Sequence, residues 1–250
     1  MDDQQFHDQF YHEQAERIFS SRLYRKLLDR HVEFLVEVTP NLGASRVLSI
    51  GCGDGRRELA LAKYSGRIVG FDVSPVAIER ARQLAERLGI RNVEFHVGDA
   101  GGLERRFLAH FDAVWCPGVL HHLSDRQIDT LLLSSRAALK PGGCFVSMDP
   151  SSTRAVNLFK PFFRRIYHEY HSPEERQLRP RDVVEKLQAA GFGEIEVRFT
   201  DWFISPLAWV FPRLTEPIAP LLVWIDQLLV KTPFLDRFSS GFALVARNGR

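Results

Sequence analysis

The sequence predicts an α/β fold in which helices wind over both faces of a largely parallel sheet. Three observations carry this. Short apolar runs alternate with longer amphipathic stretches from about residue 45 to about residue 200. The first run passes straight into a glycine-rich turn, Gly51-Cys52-Gly53-Asp54-Gly55. The second ends in an acid, Asp72, seventeen positions after Gly55.

The elements follow in order. Residues 11–38 read as one long amphipathic helix, with Ile18, Leu23, Leu27, Leu28, His31, Leu35 and Val38 near helical spacing. Thr39-Pro40-Asn41-Leu42-Gly43 ends it. Val47–Ile50 is a buried strand, residues 56–64 suit a helix, and Arg67–Asp72 is the second strand. Ser74 is an N-cap, Pro75 fits the first helical position, and that helix runs to Gly89. Val93–Val97 and Phe111–Cys116 are the third and fourth strands. Ser124 caps a helix ending near Lys140-Pro141-Gly142-Gly143, and Cys144–Met148 is the fifth strand. Arg181–Ala190 is a helix stopped by Gly191, with strands at 194–200 and 242–246 after it. Two stretches interrupt the alternation. Residues 150–179 are rich in Phe, Arg, His and Pro, and residues 202–237 are aromatic and broken by proline.

Composition excludes several classes. Thirty-three basic against 31 acidic side chains leave a formal charge of +2, too balanced for a nucleic-acid partner. Cys52, Cys116 and Cys144 are far apart and no Cys/His spacing suits zinc, so reduced thiols and no metal are expected. The first residues lack the basic and apolar regions of a signal peptide, and no apolar run approaches eighteen residues. A cytoplasmic protein is expected, built as one domain over 1–250.

The glycine turn narrows the ligand. Its spacing is G-x-G-x-G, whereas a dinucleotide fingerprint is G-x-G-x-x-G with pyrophosphate at the helix start. Asp54 inside the turn would repel pyrophosphate and attract a cation such as an α-amino group. Asp72 at the end of the second strand can accept the hydroxyls of a ribose. These features favour an aminoacyl nucleoside over NAD.

Over roughly residues 40–200 the chain resembles the class I S-adenosylmethionine-dependent methyltransferases. Ile50-Gly51-Cys52-Gly53-Asp54-Gly55 resembles their first motif, which holds the methionine part of the cofactor. The resemblance implies that Asp72 binds ribose, Val73 packs on adenine, and Asp99 in Gly98-Asp99-Ala100 accepts from the adenine amine. Phe111–Cys116 and Leu139-Lys140-Pro141-Gly142-Gly143 are similar to the fourth-strand motif and the turn before strand five, with Cys116-Pro117 beside the cofactor. The implied fold is Rossmann-like, seven-stranded, with the last strand antiparallel and helical caps. The implied activity is transfer of the methyl of S-adenosylmethionine to oxygen, carbon or nitrogen, leaving S-adenosylhomocysteine.

After strand four comes Cys116-Pro117-Gly118-Val119-Leu120-His121-His122-Leu123, not the [N/D]-P-P-[Y/F] of enzymes that methylate base and amide nitrogens. His121-His122 resembles the pair in small-molecule methyltransferases related to ubiquinone and menaquinone biosynthesis. Either histidine can take the acceptor's proton near neutral pH. Residues 1–40 are expected to act as a lid, with Tyr11 and His12 closing the site. The two interruptions, 150–179 and 202–237, are expected to cap the crevice and offer Tyr167, Tyr170, Trp202 and Trp209 to an apolar or amphiphilic small molecule. Residues 202–230 are apolar enough to lie at a membrane interface. Their lack of a Lys/Arg excess favours a cap packed on the domain or on a second copy in a homodimer. The rivals are a protein or RNA methyltransferase, a dinucleotide oxidoreductase, and a binding protein that keeps the fold without turnover.

Overall fold

The computed structural model describes residues 3–13, 15–99, 107–152, 175–213 and 215–249. The chain opens with helices α1 (Asp3–Glu13), α2 (Ala15–Phe19) and α3 (Arg22–Val38). The single helix expected over 11–38 is therefore broken. Ser21 is extended, and its side chain accepts from the Tyr24 amide, so it caps α3 and leaves the chain before it free to turn. The alternating units are β1 (Arg46–Ile50), α4 (Arg56–Leu61), β2 (Arg67–Asp72), α5 (Pro75–Leu88), β3 (Val93–Val97), β4 (Phe111–Pro117), α6 (Asp125–Ala138) and β5 (Leu139–Pro150). Then come α7 (Pro180–Ala189), β6 (Phe192–Phe199), α8 (Ile204–Val210), α9 (Ala219–Lys231) and β7 (Gly241–Asn248). The fifth strand begins earlier than its apolar run: Lys140–Gly143 lie within it, beside a register shift between Phe111 and Ala113.

Among the described residues seven strands form one sheet in the order β3-β2-β1-β4-β5-β7-β6. β7 runs antiparallel to both its neighbours, and the other pairings are parallel. Strand residues alternate between two buried faces. Leu48, Val114, Phe145 and Leu244 join one apolar cluster, with Ile128 and Leu132 of α6 and Leu187 of α7. Val47, Trp115, Val146 and Val245 join the other, with Leu35 of α3 and Ile78 of α5. Strand order reverses between β1 and β4. The crevice outside their carboxyl ends is where such sheets hold ligands.

The segment between β6 and β7 sits on α3. Leu23 and Leu27 pack with Ile204, Ala208 and Ala219, all buried. A buried acid completes the seat. Asp226 of α9 pairs with Arg30 at 2.7 Å, and its other oxygen accepts the amides of Trp202, Phe203 and Ile204.

Candidate active site

The glycine turn leaves β1 with Gly51, Gly53 and Gly55 all at positive φ. The amides of Gly51 and Cys52 donate to the Phe71 carbonyl, at 2.8 and 3.1 Å. One carboxylate oxygen of Asp72 accepts the Gly53 amide at 2.8 Å, and the other accepts the Ser74 amide at 2.9 Å. The turn is thereby locked to the end of β2. The Tyr11 hydroxyl rests against it, in the space that a Cβ on Gly53 would need. Burial pushes the Tyr11 phenol well above its ordinary range, and the carboxylates of Asp72 and Asp54 add to this. Ser74 also donates to Asp8 of α1, so α1 spans the turn and the head of α5.

Asp54 is buried in the turn and accepts from Arg56 Nε at 2.8 Å; burial raises its carboxyl despite that pairing. Arg56 also reaches Glu16 of α2 at 2.9 Å. Cys52 is buried under the turn, and burial pushes its thiol up.

At the end of β4, Gly118 donates to the Met148 carbonyl, and the chain turns through Leu120–His122. The ring of His121 sits 3.0 Å from Asp149, the acid near the end of β5. Burial pushes the Asp149 carboxyl up to about 7. The rings of His121 and His122 are 4.1 Å apart, and His122 Nε2 is 4.0 Å from Glu175. Ligand-type atoms of His121, His122 and Glu175 all lie within 4.8 Å of one another, a spacing that a divalent ion accepts.

Most of these parts share one cavity of about 360 Å³, with Gly55, Asp72 and Ser74 outside its lining. Gly51–Asp54, Pro117, His121, His122 and Asp149 line one side, and Trp209, Val210 and Phe211 of the cap line another. Phe10, Tyr11 and Phe19 close it from α1 and α2. Trp209 packs on Phe10, ring centres 5.4 Å apart. Asp201, His31 and Arg57 also line the wall, and the sequence reading gave none of them a role in the site. Asp201 is buried, and burial together with Asp226 pushes its carboxyl up to about 6. Burial, with Arg57 and Arg30 nearby, lowers the His31 imidazole to about 3. Arg57 lines the cavity; among the described residues its buried Nε has no hydrogen-bond partner, and its Nη1 lies 4.0 Å from Glu58.

The remaining expected residues are dispersed. Val73 and Asp99 are exposed along the strand edge, where the Gly98 amide donates to the Asp72 carbonyl at 2.9 Å. The Cys116 thiol is buried in the sheet core with Val114 and Phe145, so its side chain does not reach the cavity that Pro117 lines. His12 is exposed and outside the lining. Trp202 is also outside it: its indole donates to the Leu235 carbonyl at 3.0 Å and serves the cap's own fold. Ala100, Tyr167 and Tyr170 lie outside the described residues.

Residues 47–143, from β1 into β5, match the family model of a methyltransferase domain. The chain carries a methyltransferase domain of the S-adenosylmethionine-dependent kind. A ubiquinone biosynthesis O-methyltransferase of Acinetobacter baylyi is 23% identical over 68% of this chain and 77% of its own length. A highly reducing polyketide synthase of Emericella nidulans is 33% identical over 80% of this chain, which spans only 8% of that much longer protein. Among solved structures, a SAM-dependent methyltransferase from Archaeoglobus fulgidus superposes with a TM-score of 0.64 at 18% identity. That match covers 95% of this chain and 99% of the other, and at that identity it speaks for the fold.

Proposed function

We propose that this methyltransferase acts on a small, apolar or amphiphilic acceptor, with the His121–Asp149 pair taking the acceptor's proton. The observation that carries this is the shared cavity. It brings the glycine turn, a buried histidine–carboxylate pair and an aromatic wall onto one space of about 360 Å³, within the range of small-molecule sites. The names of the relatives, one in ubiquinone biosynthesis and one a polyketide synthase, make quinone-like phenols and polyketides the first acceptors to try.

S-Adenosylmethionine supplies an electrophilic methyl on a sulfonium. The residues present fit it. Asp72 accepts the Gly53 and Ser74 amides at the end of β2 and would accept the ribose hydroxyls there. Asp99 and Val73, exposed along the same edge, would take the adenine, and Asp54 would meet the α-amino group. Gly51, Cys52, Gly53 and Gly55 would let the main chain approach the ligand closely, with Pro117 beside it in the cavity wall. Arg57 would answer the methionine carboxylate. Tyr11 and α1 form the lid; Trp209 and the rest of α8 hold the acceptor's apolar part. The chain's work is alignment of the acceptor in line with the sulfonium and removal of one proton.

A second reading rests on the His121, His122 and Glu175 cluster: those side chains hold a divalent ion that lowers the pKa of an acceptor hydroxyl. Turnover of a catechol or quinol acceptor with and without chelator separates the two. Full activity after chelation favours the protonic pair. Loss restored by one added metal favours the ion. Calorimetry with S-adenosylhomocysteine tests the cofactor assignment, and failure of folded protein to bind it would sink both readings.

A further inference from the structure

The cavity's two ends are joined by aromatic rings. Trp209 lines it from α8 and Phe10 from α1. Their ring centres are 5.4 Å apart, with the planes tilted by 31°. Phe19 of α2 stands edge-on to both, 5.9 Å from Phe10 and 6.3 Å from Trp209. Tyr24 of α3 completes the group, 4.6 Å from Phe19 and 6.4 Å from Trp209. Rings at these separations attract one another beyond the area that they bury.

The two helices are held in different ways. α8 has a seat of its own: Ile204 and Ala208, one turn apart, are fully buried with Leu23 and Leu27 of α3, and Asp226 accepts the Phe203 and Ile204 amides. Trp209, one residue on, packs instead on the small cluster of Phe10, Ala15, Ile18 and Phe19. α1 rests on the glycine turn through Tyr11 and on the cap of α5 through Asp8, which accepts from Ser74. Adjacent residues of a helix project about 100° apart. Tyr11 therefore meets the turn while Phe10 meets the indole of Trp209. Whatever fixes Tyr11 on the turn also fixes Phe10 on the acceptor wall, because one short helix carries both.

We propose that Phe10 is a positioning residue for the acceptor: cofactor bound beneath Tyr11 holds α1 in place, and Phe10 passes that order to Trp209. The inference rests on the reading of the glycine turn as the cofactor site. It adds that the two subsites are energetically coupled through one ring pair. Coupling of this kind is reciprocal, so an acceptor seated on Trp209 tightens the cofactor by the same factor. It needs no large movement, since ordering α1 once serves both ligands.

Hydrogen–deuterium exchange of the full chain, with and without S-adenosylhomocysteine, tests this. The ligand should slow exchange at the glycine turn and the end of β2. It should also slow the amides of 207–211 by about fivefold or more, although Leu207 and Phe211 donate to carbonyls within the cap itself, those of Phe203 and Leu207. In Phe10→Ala the protection of the turn should remain while that of 207–211 is lost. Phe10→Leu, which keeps an apolar side chain against the indole, should restore part of it. A protected turn with unchanged exchange at 207–211 in the wild type would overturn the coupling, whatever the variants do. So would equal protection of 207–211 in the wild type and Phe10→Ala, since the ligand would then reach the cap without Phe10. No protection at the turn would sink the cofactor reading itself, and the coupling with it.

Discussion

The Nδ1 atom of His121 and its own main-chain N–H meet a single oxygen of Asp149, at 3.0 and 3.2 Å. When Asp149 is ionised it can only accept, so Nδ1–H is then the donor in the side-chain contact. That tautomer carries the ring's lone pair on Nε2. A histidine fixed in this tautomer can receive a proton without first rearranging. His121→Ala should lower kcat by about 10²-fold or more, with S-adenosylhomocysteine affinity nearly unchanged in calorimetry. Equal kcat in the two proteins would move the base role to His122 or remove it.

Asp149 gives this pair a pH signature. Burial holds its carboxyl at about 7, above its ordinary value in the unfolded chain. The unfolded chain therefore ionises first, so its contribution to stability is fully present below about pH 4 and is lost as pH rises to about 7. Asp149→Asn keeps a carbonyl for His121 and removes the titration. Urea unfolding at the two ends of this window should show a smaller loss of stability in the variant than in the wild type. The pH–rate profile should change shape with it, since the pair titrates together.

Asp72→Ala removes the acceptor of the Gly53 and Ser74 amides together with any bond to ribose. S-Adenosylhomocysteine should bind about 1–3 kcal/mol more weakly in calorimetry. Unchanged affinity would withdraw the ribose assignment.

Arg57→Gln should weaken S-adenosylhomocysteine while leaving 5′-methylthioadenosine, which lacks the amino-acid part, bound as before. A loss of about 1.5–3 kcal/mol is expected for a hydrogen bond to a charged group. Equal losses for both ligands would mean that Arg57 supports the turn and does not touch the carboxylate.

Asp226→Ala leaves Arg30, whose side chain is 19% exposed, with the Thr200 carbonyl but no acid, and frees three amides at the start of α8. The expected cost is about 3–5 kcal/mol in urea unfolding. A change within experimental error would show that the cap's seat rests on its apolar contacts alone.

The sheet was readable because its signals are local. Strand residues such as Val47, Val114 and Val146 form apolar runs, and Ser74-Pro75 and Gly89 mark the ends of α5 by their own chemistry. The break at Ser20-Ser21 escaped because the apolar spacing on either side stays near-helical, while the cap that makes the break depends on one side chain. In the site, the glycine turn, Asp72 and the histidine pair were legible as motifs. Asp149, Arg57, His31 and Asp201 were not, since each reaches the cavity from a different element and no short spacing joins them. An acid next to Pro150 at the end of strand five was the available clue to Asp149. Trp202 misled through its composition: an aromatic in a cap segment can face inward and bond the main chain.

The Tyr11 hydroxyl on Gly53 and the Asp8 carboxylate on Ser74 place α1 across the doorway of the glycine turn. On the proposed lid role, traffic past the turn is governed by the first helix, whatever the chemistry inside. An affinity tag or fusion partner attached ahead of Asp3 would alter how quickly ligands come and go without touching the reacting groups, so the carboxyl end, beyond β7, is the sounder place for one.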